Sequence, residues 1–118
     1  MKQNLYHYNA LVVSVYDGDT CTVDIDLGLH TWLKDEKIRL ARINAPELRG
    51  KERPMGLPSR DFLRGQILNK KIILETIKDK KGKYGRYLGE IWLEKSNGKY
   101  VNINDLLVNK GFAFYKDY

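Results

Sequence analysis

Three short polar clusters carry the residue types that chemistry on a phosphate ester requires. They are Asp17-Gly18-Asp19-Thr20, the run RLARINAPE from Arg39 to Glu47, and Lys83-Tyr84-Gly85-Arg86. Asp19, Asn44 and a backbone carbonyl would make a hard, all-oxygen site suited to Ca²⁺. Glu47 would stand beside it, free to orient or deprotonate a water. Arg39 falls mid-strand on a face shared with Ala41 and Ile43, where a charge needs a partner or an anion. Arg86 follows a glycine at the start of a strand, and its guanidinium can hold a phosphate through two parallel bonds, as a lysine cannot. Tyr84 can contact a phosphate or stack on a base.

Each cluster also has a plain structural reading. Asp-Gly is common turn chemistry. Arg39 and Glu47 could form a surface pair worth ~0–1 kcal/mol. Lys83–Arg86 could be a basic hairpin with Gly85 at positive φ. The weight lies in the order and spacing of the three together.

The elements that must position these clusters follow from periodicity and turn signals. Residues 9–16 read as a strand that ends at the Asp17-Gly18-Asp19 turn. The next run alternates, with Cys21, Val23, Ile25 and Leu27 on one face and Thr20, Thr22, Asp24 and Asp26 on the other. Residues 28–36 are expected to form a connection that includes His30. Lys37–Ile43 reads as a third strand, stopped at Asn44-Ala45-Pro46 because proline lacks an amide donor. Residues 48–57 read as a charged, mobile loop. Pro58-Ser59 is then expected to open a helix that docks Phe62, Leu63 and Ile67. Ile72–Lys78 and Tyr87–Glu94 read as strands, with Asp79–Tyr84 as a basic turn and Ser96–Lys99 as a hairpin turn. Asn102 or Asn104 caps a short helix that Gly111 ends. Phe112, Phe114 and Tyr115 form an aromatic tail expected to pack on the barrel.

The order β-β-β-α-β-β-α matches an α+β, mainly β architecture. It predicts a five-stranded OB-fold barrel with one helix between strands three and four and a short C-terminal helix. With 118 residues and no repeat or linker, residues 1–118 read as one domain.

Composition narrows the partners. The net charge is +6, but residues 49–86 hold 12 basic and 4 acidic side chains, a local +8. A basic excess confined to one third of the chain favours a polyanion over a merely soluble surface. The single cysteine, Cys21, rules out an internal disulfide and a Cys-rich zinc site, and His7 and His30 are too few and too far apart for a His-based one. The N-terminus lacks the apolar segment of a signal peptide, and no run approaches the ~18 apolar residues of a membrane span. The expectation is a cytosolic protein, monomeric by default, with no membrane partner.

With these residues in order, the chain resembles the staphylococcal nuclease (thermonuclease) family from about Val12 to Gly111. The resemblance rests on DGDT, the R-L-x-x-I-x-A-P-E pattern, the helix at Pro58 and KYGR. It implies Ca²⁺-dependent endonucleolysis of DNA and RNA, releasing 3′-phosphate ends. By motif position, Asp19 becomes a calcium ligand, and Asn44 stands where the family has a second ligating aspartate. Ala45 matches a position that gives its backbone carbonyl. Glu47 matches the residue that activates water, Arg39 and Arg86 the phosphate-binding arginines, and Lys83 and Tyr84 substrate contacts. Asn44 removes one negative charge, which is expected to weaken Ca²⁺ binding. The resemblance stops at about Gly111, so no counterpart of the family archetype's third helix is expected within these residues. Two other function classes remain open. One is a catalytically weak or inactive nucleic-acid-binding or scaffold module; the other is a regulatory partner in a larger complex.

Overall fold

The computed structural model describes residues 5–116. Its strands are β1 (His7–Asp17), β2 (Thr20–Asp26), β3 (Trp32–Leu40), β4 (Ile43–Asn44), β5 (Lys71–Lys81), β6 (Tyr87–Ser96), β7 (Lys99–Asn102) and β8 (Phe114–Tyr115). Helix α1 spans Arg53–Ile67 and helix α2 spans Ile103–Asn109. Antiparallel pairing runs β3-β2-β1-β5-β6, and a parallel pairing of β3 with β6 closes the ring. The result is a closed five-stranded mixed barrel with two helices, the expected OB-like architecture. β7 extends β6 as a hairpin outside the closed ring. No helix among the described residues is long and apolar enough to cross a membrane.

The alternation read in β2 sets the core. Cys21, Val23 and Ile25 are buried, as are Ile38 and Leu40 from β3 and Leu63 and Ile67 from α1. Asn104, fully buried, stitches the barrel seam. Its amide donates to the carbonyls of Ala41 (2.9 Å) and Gly89 (3.1 Å) and accepts from the Ile91 N–H. The cap of α2 is Asn102, whose side chain accepts from the Asp105 N–H at 2.9 Å.

Several boundaries differ from the sequence expectation. β3 begins at Trp32, so the connection shrinks to a turn around Gly28–Thr31, which contains His30. Residues 32–35 are exposed on both faces, and an exposed hairpin extension shows no apolar period to read. The strand expected to run to Ile43 breaks after Leu40 and resumes as β4, with Arg42 between them at φ +68°. β5 continues to Lys81 through an irregular stretch where Lys78 and Asp79 take positive φ, so the basic turn is only the segment around Gly82–Arg86. The charged loop is largely helical: a 3₁₀ turn at Gly50–Glu52 leads into α1 at Arg53. Pro54 occupies the first turn and Pro58 lies inside the helix, where it removes one backbone bond. Packing of the first turns, described below, holds the helix through that gap. The aromatic tail divides: Phe112 stacks on Phe62 at 4.7 Å, while Phe114 and Tyr115 are half-exposed and pair with β4 as β8.

Candidate active site

The site forms where the β1–β2 turn, the end of β3, β4 and the start of α1 meet. Gly18 permits that meeting. A Cβ there would lie 2.8 Å from both the Ala45 and Ser59 Cβ atoms, so the turn can approach β4 and α1 only without a side chain. Gly56 does the same for the opposite contact. A Cβ on it would lie 2.3 Å from the Glu47 carbonyl oxygen. The small residues of α1 therefore press its first turns onto the Pro46–Glu47 backbone. Ser59 completes the clamp by donating to the Phe112 carbonyl at 2.7 Å.

Buried Asp19, Arg39 and Ala45 form one network with half-buried Asn44. The Asp19 carboxylate pairs with Arg39 (3.2 Å) and accepts from the Ala45 N–H (2.8 Å) and the Thr20 hydroxyl (3.1 Å). Arg39 is only 9% exposed. It donates through Nη1 to the carbonyls of Leu40 (2.8 Å) and Ile43 (3.0 Å), and through Nη2 to the Asn44 amide oxygen (2.9 Å). Such a charge is retained in a protein interior because each face meets an acceptor. Asn44 is fixed from the other side by β8, where it pairs with Phe114.

Glu47, Lys83, Tyr84 and Arg86 sit outside that network. The Glu47 side chain is exposed, with Arg49 at 4.0 Å. Lys83, Tyr84 and Arg86 share one turn, in which Gly85 has φ +74° and the Arg86 carbonyl accepts from the Gly82 N–H at 2.8 Å. The Tyr84 ring has Lys83 at 5.1 Å and Arg86 at 5.4 Å, both within cation–π range. Glu47 and Arg86 nonetheless border the same cleft of about 470 Å³, with Tyr16, Asp17, Arg49 and Arg53.

Asp17 joins the two groups, and the sequence reading passed over it as turn chemistry. Its carboxylate accepts from the Asp19 N–H at 3.1 Å and also lines the Glu47–Arg86 cleft. Its pKa is pushed up to about 7, making it a weaker acid, first by burial and then by the hydrogen bond and charge of Asp19. Asp-x-Asp spacing across a tight turn was the available signal. Among the described residues, no three His, Cys, Asp or Glu side chains cluster tightly enough to form a metal cage by themselves. The donor set at this point is two carboxylates, one amide oxygen and backbone carbonyls. That set is hard and anionic, and the neighbouring Asp19 carboxylate adds to burial in holding Asp17 toward its protonated form. A divalent oxygen-seeking cation fits it chemically.

A family model described as staphylococcal nuclease homologue matches residues 37–118. The chain belongs to the staphylococcal nuclease family. Family members similar to it include a thermonuclease of Staphylococcus hyicus, 33% identical over 91% of this chain and 59% of its own length. A thermonuclease of Staphylococcus intermedius is 34% identical over 70% of this chain and 48% of its own length. An uncharacterised protein of Methanocaldococcus jannaschii is 31% identical over 91% of this chain and 58% of its own length. The chain thus spans about half the length of these curated relatives.

Proposed function

We propose that the chain is a sequence-nonspecific endonuclease that hydrolyses phosphodiester bonds of DNA and RNA with Ca²⁺ at Asp19, Asn44 and the Ala45 carbonyl. The observation that carries this reading is the convergence at one rim. Asp17 touches Asp19 of the buried network and shares a cleft with Glu47 and Arg86. Similarity to two thermonucleases supports the reaction class.

In this reading Glu47 accepts a proton from the attacking water, and its exposure lets a water reach it. Arg39 and Arg86 offset the charge that builds on the non-bridging oxygens in the transition state. Arg39 does so from a fixed position, because two carbonyls hold its guanidinium. Arg86 does so from a turn that can adjust to the strand. Lys83 and Tyr84 hold the flanking chain without reading its sequence. When bound, Ca²⁺ supplies Lewis-acid polarisation of a phosphate oxygen.

One feature favours a second reading, a module that binds nucleic acid without cutting it. The Asn44 amide is neutral, and its oxygen already accepts from Arg39. Incubation with plasmid and oligonucleotide separates the two. The enzyme cuts with Ca²⁺, stops with chelator, and loses activity in Glu47→Gln and Arg86→Ala. Retarded but intact nucleic acid under every condition supports the module instead.

A further inference from the structure

Tyr16 is presented by an irregularity of its strand. β1 pairs with β2 as Val15 with Cys21 and Asp17 with Thr20, so Tyr16 is the extra residue of a β-bulge. A bulge re-aims the side chain it carries and commonly lies beside an active site. Val15 before it is 4% exposed, whereas Tyr16 is 66% exposed. Arg64 of α1 donates to the Val15 carbonyl at 3.0 Å, which tethers the backbone at the bulge. The ring is thus a large apolar face held toward solvent by a fixed support.

Tyr16 and Arg86 border two depressions. One is the cleft that contains Asp17 and Glu47. The other is a groove of about 530 Å³ whose lining includes Thr20, Thr22, Lys37 and Tyr84. That volume lies within the ~300–1,000 Å³ of small-molecule sites. Two exposed tyrosines, the hydroxyls of Ser14, Thr20 and Thr22, and two cations therefore meet on one groove. Aromatic faces for bases and cations for phosphates are the combination that recognises single strands without sequence preference. A duplex keeps its bases stacked within the helix and cannot offer one to such a ring.

We propose that this groove is a nucleotide subsite for single-stranded DNA or RNA, in which Tyr16 stacks on the base beside the scissile phosphate and Lys37 meets the next phosphate. The subsite rests on the nuclease reading of the adjoining cleft. Tyr16 is a substrate-binding residue with no part in proton transfer, so its loss acts on KM and leaves kcat unchanged.

The test uses Tyr16→Ala, Tyr16→Leu and Tyr16→Trp, each checked for an unchanged thermal melt. On single-stranded DNA and RNA oligonucleotides, Tyr16→Ala raises KM about tenfold or more, Tyr16→Leu behaves like Ala, and Tyr16→Trp restores the parent value. On an oligonucleotide with abasic residues, the parent protein and Tyr16→Ala become alike. If the parent cuts and Tyr16→Ala keeps its KM on single strands, the subsite is wrong and the nuclease reading stands. If the parent cuts nothing, the nuclease reading fails and fluorescence anisotropy with a labelled oligothymidine judges the groove. Binding about tenfold weaker in Tyr16→Ala supports it, and equal binding overturns it.

Discussion

The two halves of the rim are built on opposite plans. Arg39 and Asn44 lie on strands, Asp19 and Ala45 directly beside strand ends, and the four are mutually bonded, with Asp19, Arg39 and Ala45 buried. Lys83, Tyr84 and Arg86 lie on a turn whose Tyr84 ring is 70% exposed, and Glu47 lies on an exposed segment over α1. The first half is fixed before any substrate arrives, and groups held that way need little reorganisation at the moment of reaction. The second half faces solvent, and on the proposed reading it adapts to an irregular polyanion. Structure and chemistry are therefore coupled in one half and separable in the other.

The largest test of this contrast is a pair of substitutions. Arg39→Ala removes the counter-ion of buried Asp19, so it should abolish cutting and also cost about 3–5 kcal/mol of stability in urea unfolding. Arg86→Ala should lose about 100- to 1,000-fold in kcat while stability stays within about 0.5 kcal/mol. Similar unfolding midpoints for the two variants would erase the distinction. Next in size is Gly18→Ala, whose new methyl meets Ala45 and Ser59 at 2.8 Å. It should cost about 1–3 kcal/mol and depress activity through the buried half, seen as a lower Tm with Ca²⁺ absent. Asn44→Asp restores a carboxylate beside Arg39 and should tighten Ca²⁺ binding by calorimetry; unchanged affinity means Asn44 is not a ligand.

The smallest effect sharpens the contrast from inside the barrel. Burial pushes the Cys21 thiol up from 9.0 to about 12, with the Asp17 charge adding to it. The folded chain then binds more protons than the unfolded one between those values, so stability falls as pH rises from about 9 toward 12 and is unaffected at neutrality. A thiol reagent at pH 8 should label Cys21 only as fast as the chain unfolds. Rapid labelling in native buffer would place it outside the rigid half.

How much of this was legible depended on whether a residue's role was local. The Asn102 cap, the core face of α1 and the buried Cys21, Val23 and Ile25 of β2 are written in short-range pattern, whereas Leu27, expected on that face, lies exposed beyond the strand, and Thr20 and Asp24, expected on the solvent face, are buried. The Arg39 position read as a buried charge, and its acceptors are there. The start of β3 was hidden because Trp32–Asp35 is solvated on both sides. The helix start was misplaced to Pro58 because two prolines compete for the first turn, and Pro54 takes it. Asp17 reads from sequence only as turn chemistry, and Tyr16 carries no signal of its own, since a bulge is a property of a strand pair and a single strand does not announce it. Gly18 read as a turn residue, yet its constraint comes from Ala45 and Ser59, both distant in sequence.

The pairing of β4 with β8 joins Asn44 to a segment made much later in synthesis. While the chain is still emerging from the ribosome, the strand that carries Asn44 has no neighbour on that side, and Ser59 has no Phe112 carbonyl to bond. On the proposed reading, the rim is therefore incomplete until Phe112–Tyr115 has been made, and a shorter nascent polypeptide bearing the DGDT and RINAPE segments lacks the partners of Asn44 and Ser59.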